Sequence, residues 1–345
     1  MYEGHFVDDE AHFELGDVHD VNPDTLPNVT LATASFPCND LSLAGSRQGL
    51  AGQHSSAFWG FVGAMKGMGN RRPPFVLLEN VAGFLSSNDG NDFRDACLAL
   101  NDLGYAVDAF IIDASWFVPQ SRQRLFLVGK REKRKVVEQT GEDTSKFYQS
   151  QCRPAVLADF ILWHPEIRWS IRTLPTIRKV QSTLQDILEE LPLNSAYWWN
   201  KQRAEYLLNQ MSPKHRAIAD KMIAGKEITS GTVFRRVRNG RSMAELRTDG
   251  VAGCLRTPRG GSGRQILFVA GKGRYAARLV TPTECARLMG ADGYKITAPL
   301  NKALFGFGDA VCVPVIRWIA ENYLTPSLKE LHAVEIQKNR YAAAV

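Results

Sequence analysis

Three short clusters carry residue types able to do chemistry. The first, Ser35-Phe36-Pro37-Cys38-Asn39, follows the apolar, β-rich run 29–36 (VTLATASF). Open α/β sheets place their sites at the carboxyl ends of parallel strands, and a thiol there becomes a nucleophile once its pKa is lowered. The plainer reading of any cysteine is a small buried hydrophobe, and Cys97 and Cys285, on apolar helix faces, keep it. The second cluster is Glu79-Asn80, at the end of the continuous apolar run 75–81 (FVLLENV). A carboxyl group inside such a run is costly unless paired or used; burial raises its pKa, and a carboxyl that stays protonated is an acid that can donate a hydrogen bond. The third is Pro119-Gln120-Ser121-Arg122-Gln123-Arg124. Arg122 and Arg124, at i and i+2 on extended chain, point to the same side and can reach one anionic or carbonyl-rich target, unless they are solvated loop charges.

These residues need elements to hold them. Segment 56–68 reads as a helix with Phe58, Phe61, Val62 and Met65 on one side. Segment 91–103 reads as another, with Phe93, Cys97, Leu100 and Leu103 on one face, Asn91 as cap and Gly104 as stop. Strands are expected at 105–112 and 124–129, and the strand and helix alternation predicts a parallel-type α/β sheet. Beyond Lys130 the pattern loosens. Segment 131–150 is charged, 182–191 is a short helix with Ser182 and Gln185 as a capping box, and 198–225 is helical. Short β pieces separated by glycine clusters fill 231–276, followed by a helix at 283–289 and a strand-to-helix unit at 303–324. Tyr197, Trp198 and Trp199 could stack on a base, but such a cluster beside a helix start is more often core.

The chain has 345 residues, 44% of them hydrophobic, with 42 Lys+Arg against 36 Asp+Glu for a formal charge of +6. That length suits two domains, or one with an insertion. The charge is unevenly placed: residues 130–280 hold 28 basic and 14 acidic side chains, a net of +14, which leaves −8 on the rest. Either this is a solvated basic surface, or an inserted module meets a polyanion such as nucleic acid. The absence of a long uninterrupted apolar run and the acidic start MYEGHFVDDE argue against membrane-spanning and secreted classes. The six cysteines lack a CxxC and the seven histidines lack HxH or HxxxH spacing, so neither a disulfide framework nor a metal site is expected.

FPCNDLSLAG, LLENVAGFL, VPQSRQRLFLVGKR, RLVTPTECARLMG and FGFGDAVCVPVIRWIAENYL stand in the order and spacing of the DNA cytosine-5 methyltransferases. The chain strongly resembles that family over about residues 14–130 and 276–324. The resemblance implies an α/β, Rossmann-like class I methyltransferase sheet over 1–130 and 277–330. It further implies a smaller mixed target-recognition domain over 131–276, which includes the basic segment, and a tail at 331–345. Cys38 would add to C6 of a flipped cytosine, Glu79 would hold N3 and the exocyclic amine, and Asn80 would orient the loop. Arg122 and Arg124 would contact the cytosine O2 and nearby phosphate. S-adenosylmethionine would be the methyl donor, with Asp17 and Val18 (in Leu15-Gly16-Asp17-Val18) on its adenine and Pro37, Phe58, Asp309, Ala310 and Val311 nearby. Double-stranded DNA is the implied partner, read by Arg256, Arg259, Arg264 and Gln265 around the LRTPRGGSGRQ turn, and the implied location is a bacterial cytoplasm, at the nucleoid. The same chemistry on tRNA is the lesser alternative.

The chain departs from the family at its front. The family's glycine-rich cofactor loop (F-x-G-x-G) and following ribose acid have no match, so the chain is expected to start between the second and third motifs. On that reading a central strand is missing, and a truncated start, a silent DNA-binding remnant or a second polypeptide supplying the loop are the alternatives. His54, Ser56 and Ala57, and Asp309 in place of the usual Asn, also depart from the pattern, on the cofactor side.

Overall fold

Local signals place most elements, and the computed structural model shows how they assemble. It describes residues 5, 13–36, 56–131, 149–192, 194–238, 240–257 and 263–342, with side chains to residue 333. In chain order the elements begin with β1 (Leu31–Ser35), α1 (Ala57–Gly67), β2 (Phe75–Val81), α2 (Asn91–Asp102), β3 (Tyr105–Asp113), β4 (Gln123–Arg131) and α3 (Ala155–Trp163). Next come α4 (Leu184–Ile187), α5 (Lys201–Asn209), α6 (Pro213–Ala224), β5 (Thr229–Arg238), β6 (Arg241–Arg247), β7 (Ile266–Gly271) and β8 (Arg274–Leu279). The last are α7 (Pro282–Leu288), α8 (Leu300–Asp309), α9 (Val313–Ile319) and α10 (Thr325–Ala342), with a π-helical turn, Ala320–Leu324, before α10. Two compact units result. The N-terminal unit comprises Glu14–Ile112, Gln123–Ile177 and Ile319–Val345; the C-terminal unit comprises Met1–Phe13, Asp113–Arg122 and Arg178–Trp318.

The N-terminal unit carries a four-stranded sheet in the order β1-β2-β4-β3. β1 runs parallel to β2, from Leu31 opposite Phe75 to Ser35 opposite Glu79, while β4 runs antiparallel to β2. The sheet is therefore mixed, which corrects the expectation of a purely parallel-type arrangement. The link 114–122 holds only a short 3-10 turn, whereas a parallel return needs a crossover of a dozen residues or more. One face is covered by α1 and α2, and a run of rings fills the core: Phe36 lies 5.4 Å from Phe58 and 5.6 Å from Phe84, and Phe84 lies 5.4 Å from Phe93. α2 starts after Gly90, whose φ of +89° suits glycine, and not from an Asn91 cap; the Asn91 amide donates instead to Asn88 O. Gly104 ends it as expected, at φ +91°.

A buried ion pair ties segment 149–177 to β3. Asp108 is fully buried and Arg153 nearly so; Arg153 Nη2 donates to both Asp108 oxygens at 2.7 and 2.9 Å. The Arg172 amide donates to Asp108 Oδ2 at 2.9 Å, and Arg153 Nε donates to Ala109 O at 3.0 Å. Tyr323, in the π-helical turn, adds a hydrogen bond to Asp108, and burial pushes its phenol well above the ordinary range, which keeps it a donor. Replacing Asp108 by Ala strands a buried guanidinium, an amide and a phenol. The expected outcome is a loss of roughly 3–5 kcal/mol in unfolding free energy, measured by urea titration, with Asp108→Asn costing less. A loss under about 1 kcal/mol would show the pair to be dispensable.

The C-terminal unit is built on an antiparallel sheet, β6-β5-β7-β8, with α5 and α6 against one face through Leu207, Leu208, Ala219, Val233, Ile266 and Phe268. The expected helical stretch 198–225 is divided into α5 and α6, because Ser212 caps a new start with Pro213 in its first turn. The capping box of α4 is formed by Thr183 and Asp186, one residue after the expected pair. Trp199 packs against the core and donates its amide to Ala277 O at 2.9 Å, while Tyr197 stays exposed. In α7, Thr281 and Glu284 form a capping box, and Glu284, fully buried, also accepts from Arg278. The expected strand near 303 is absent: 300–309 and 313–342 are helical. By length and composition alone Leu300–Ala333 could cross a membrane, but Asp309, Arg317 and Glu321 interrupt it and α8 and α9 are separate helices.

Candidate active site

β1 and β2 end side by side, and Asn80 fastens the two ends. Its Nδ2 donates to Phe36 O at 3.2 Å and its Oδ1 accepts from the Val81 amide at 2.8 Å. Phe36 is buried among the rings of Phe58 and Phe84, so the residue two before Cys38 is anchored by backbone and side chain. Cys38 and Pro37 themselves lie outside the described residues, as does Arg259.

Among the described residues, Glu79 and Arg124 form an ion pair that joins two of the expected clusters. Val81 stands opposite Arg124 and Glu79 opposite Phe126, so the two side chains are diagonal neighbours on one face of the sheet. Arg124 Nε meets Glu79 Oε1 at 2.8 Å, with side-chain exposures of 16% and 12%. The pair is thus shielded from bulk water yet reachable at the strand ends, and the carboxylate in an apolar strand has a cation.

Arg122 takes a different course. Within the C-terminal unit it is 3% exposed and donates to Leu255 O (2.9 Å), Gly308 O (3.2 Å) and Ala310 O (2.6 Å). Such a guanidinium braces the backbone of its own unit. Gln120, fully buried, does the same, donating to Leu288 O at 2.7 Å and accepting from the Leu255 amide at 3.0 Å. Sequence reasoning left Gln120 without a role because spacing does not show which carbonyls a loop amide meets.

Of the residues expected around the methyl donor, Asp17 is exposed and caps the 3-10 turn Val18–Asp20. Oδ1 accepts both the His19 amide (2.9 Å) and His19 Nδ1 (2.7 Å), which leaves Oδ2 for an outside donor. His19 Nε2 meets Ser56 O at 3.0 Å. A Cβ on Gly60 would come within 2.6 Å of Val18 Cγ1, so this glycine lets Val18 settle on α1. Among the described residues no donor meets Oδ2, and a carboxylate oxygen beside a half-buried valine has the chemistry to take the amine edge and face of an adenine. Phe58 is fully buried and forms part of the wall behind the site, with no surface to offer a ligand. In the C-terminal unit Asp309 accepts from the Thr257 hydroxyl, Ala310 O is held by Arg122, and Val311 is half-buried. Gly308 lets the chain pass close, since a Cβ there would lie 2.5 Å from Thr257 N.

His19 was legible only in hindsight, from its i+2 spacing to Asp17. The hydrogen bond that His19 donates to the Asp17 carboxylate raises the His19 pKa above 6.5, and the bonds from His19 lower that of Asp17. A raised histidine pKa gives a contact that is present at low pH and lost as pH rises through the folded value. The expected NMR titration midpoint of His19 therefore lies above 6.5, and Asp17→Asn moves it down. An unchanged midpoint in that variant would remove the pair.

Among the expected DNA-reading residues, Arg256 is exposed and Arg264 half-buried. Gln265 is buried and donates to Cys254 O at 3.3 Å, so its amide shapes the turn from inside and is not positioned on a surface.

The fold is shared with solved structures named as methyltransferases. A methyltransferase of Entamoeba histolytica matches with a TM-score of 0.60 over 95% of this chain and 86% of its own, at 13% identity. The S. pombe Dnmt2 methyltransferase matches with a TM-score of 0.57 over 94% and 87%, at 15% identity. The family model "C-5 cytosine-specific DNA methylase" matches residues 1–325, and the chain belongs to that family. It is 28% identical to the orphan methyltransferase M.SPRI of Bacillus phage SPR over 209 residues, 60% of this chain and 45% of the relative. It is 25% identical to the type II methyltransferase M.HhaI of Haemophilus parahaemolyticus over 309 residues, 89% of this chain and 79% of the relative. The chain spans about half the length of the first curated relatives it matches.

Proposed function

We propose that the chain methylates C5 of a cytosine flipped out of duplex DNA, through a covalent adduct on Cys38. The observation that carries this reading is the Glu79 and Arg124 pair, at the strand ends where Asn80 holds the carbonyl leading to Cys38. The Cys38 thiolate forms a bond to C6, and the π pair of the C5–C6 double bond moves onto C5, delocalised through C4 to N3. Glu79 holds N3 and the exocyclic amine and Arg124 the O2, so the charge that builds on the ring meets a preorganised acid and cation. S-adenosylmethionine, when bound, supplies the electrophilic methyl group at C5, and Asp17 and Val18 are the residues that fit its adenine. Removal of the C5 proton returns the electron pair, breaks the C6–S bond and frees Cys38. Neither carbon is open inside a stacked duplex, so the base leaves the stack first.

On this reading 1–130 and 277–330 are catalytic, 131–276 recognises the target, and Arg256, Arg259 and Arg264 meet DNA. DNA is favoured over tRNA by the family's description and by relatives named as type II methyltransferases. The expected result is incorporation of labelled methyl into duplex DNA and not into tRNA; labelled tRNA alone would overturn the substrate. A bacterial cytoplasm is the matching location. A second reading rests on β1, which among the described residues pairs with one strand only. A further strand, from this chain or a second polypeptide, then completes the donor site. Calorimetric binding of S-adenosylmethionine to the chain alone, with ordinary micromolar affinity, would remove that reading.

A further inference from the structure

Within the N-terminal unit, the His19 ring sits between two groups that accept hydrogen bonds. Its Nδ1 meets Asp17 Oδ1 at 2.7 Å, an oxygen that also accepts the His19 amide at 2.9 Å, and its Nε2 meets Ser56 O at 3.0 Å. A neutral imidazole has one N–H, so one of the two ring contacts would set lone pair against lone pair. The imidazolium, with both nitrogens as donors, satisfies both. Among the described residues Asp17 and Asp20 are the charged side chains that favour this form, and the Ser56 carbonyl at the start of α1 favours it too. The ring thus ties the 3-10 turn Val18–Asp20 to α1. Shape fits the same segment to the helix. A Cβ on Gly60 would lie 2.6 Å from Val18 Cγ1 and 3.3 Å from the His19 ring, and one on Gly67 would lie 2.3 Å from Pro23 Cγ. Further along, Arg71 donates to Pro23 O at 2.7 Å and to Leu26 O at 2.8 Å. Residues 23–26 are therefore held by a guanidinium that keeps its charge, while the turn carrying Asp17 and Val18 depends on a group that titrates.

We infer that His19, carrying both ring protons, is a positioning residue: it aims the Asp17 carboxylate and seats Val18 for the adenine of the methyl donor, so donor affinity falls as the ring gives up a proton. The inference rests on the proposed adenine role of Asp17 and Val18, and adds to it a residue and a pH dependence. The adenine amine is a neutral donor, so it loses little when the carboxylate beside it is neutralised by the imidazolium. The fixed direction of Oδ2 then decides the effect. The bond to Asp17 raises the His19 pKa, so the tie is complete below about pH 6.5 and lost as pH rises through the folded value. With 43% of the His19 side chain exposed, the effect is modest and weakens with salt.

The test is calorimetric binding of S-adenosylhomocysteine to the full chain at low salt, from about pH 5.5 to about pH 8.5, a range that spans imidazole titration. The unsubstituted chain is expected to lose about 2–5-fold in affinity across it. His19→Arg donates to the same two acceptors at every pH and is expected to keep the acid-side affinity throughout. His19→Gln, which cannot serve both, is expected to show the weaker affinity throughout. S-inosylhomocysteine carries an oxygen where adenine has its amine, so its binding is expected to lack this dependence. A pH-independent affinity in the unsubstituted chain, or an undiminished pH dependence in His19→Gln, overturns the inference. If the unsubstituted chain binds S-adenosylhomocysteine at no pH, the proposed adenine role fails and takes the inference with it, which is a distinguishable result.

Discussion

Cys38→Ala is expected to abolish methyl transfer, by a factor on the order of 10⁴ or more, and to abolish the covalent complex with a 5-fluorocytosine duplex and methyl donor. The reasoning is chemical first. Carbon 5 of cytosine is a poor nucleophile until an electron pair arrives through addition at C6, and no other described group at the ends of β1 and β2 is a soft nucleophile. Fluorine at C5 cannot depart as a proton does, so the thioether to Cys38 persists and is read on a denaturing gel. Alanine removes one sulfur atom and leaves the anchors in place: Asn80 still holds Phe36 O, and Phe36 still packs on Phe58 and Phe84. DNA affinity should stay within about threefold, because phosphate contacts supply most of it. A trapped complex formed by the alanine variant would sink the assignment.

Glu79→Gln is expected to lower methyl transfer by roughly 10²–10⁴ while the protein stays folded. Glutamine keeps the volume and an oxygen for Arg124 Nε, now at 2.8 Å from Glu79 Oε1, but loses the charge and the ability to exchange a proton with N3. The stability cost is about 1–3 kcal/mol, because Arg124 is left without its counter-charge at a largely shielded position. Single-turnover rates with labelled methyl separate this from binding: the rate constant falls while the duplex dissociation constant does not. A variant within threefold of the unsubstituted rate would remove Glu79 from the chemistry. Arg124→Leu should weaken catalysis and destabilise together, since it leaves the carboxylate unpaired.

Much of the scaffold was legible in particular residues. FVLLENV is continuous enough to suit a strand buried on both faces, and its burial is nearly complete from Phe75 to Leu78. The apolar spacing from Phe93 to Leu100 located α2 to within a residue or two. Segment 303–324 reads as a strand-to-helix unit, because short apolar runs look alike in either state, yet it is helical, with Pro314 in the first turn of α9. The break between α5 and α6 was also written in Ser212-Pro213, a cap followed by proline at a helix start. Family membership followed from five ordered motifs and agrees with the match over residues 1–325.

By itself, then, the sequence determined which residues have the chemistry: a cysteine, a carboxylate and two arginines in motif order, and a +14 segment apart from a −8 frame. Only the tertiary structure decided their partners. Arg122 and Arg124 are two residues apart and alike in type, yet one donates to three carbonyls and the other meets Glu79. The physical reason is that β4 begins at Gln123, so strand alternation governs Arg124 and not Arg122. Local patterns encode what a side chain can do; long-range pairing selects what it does it to.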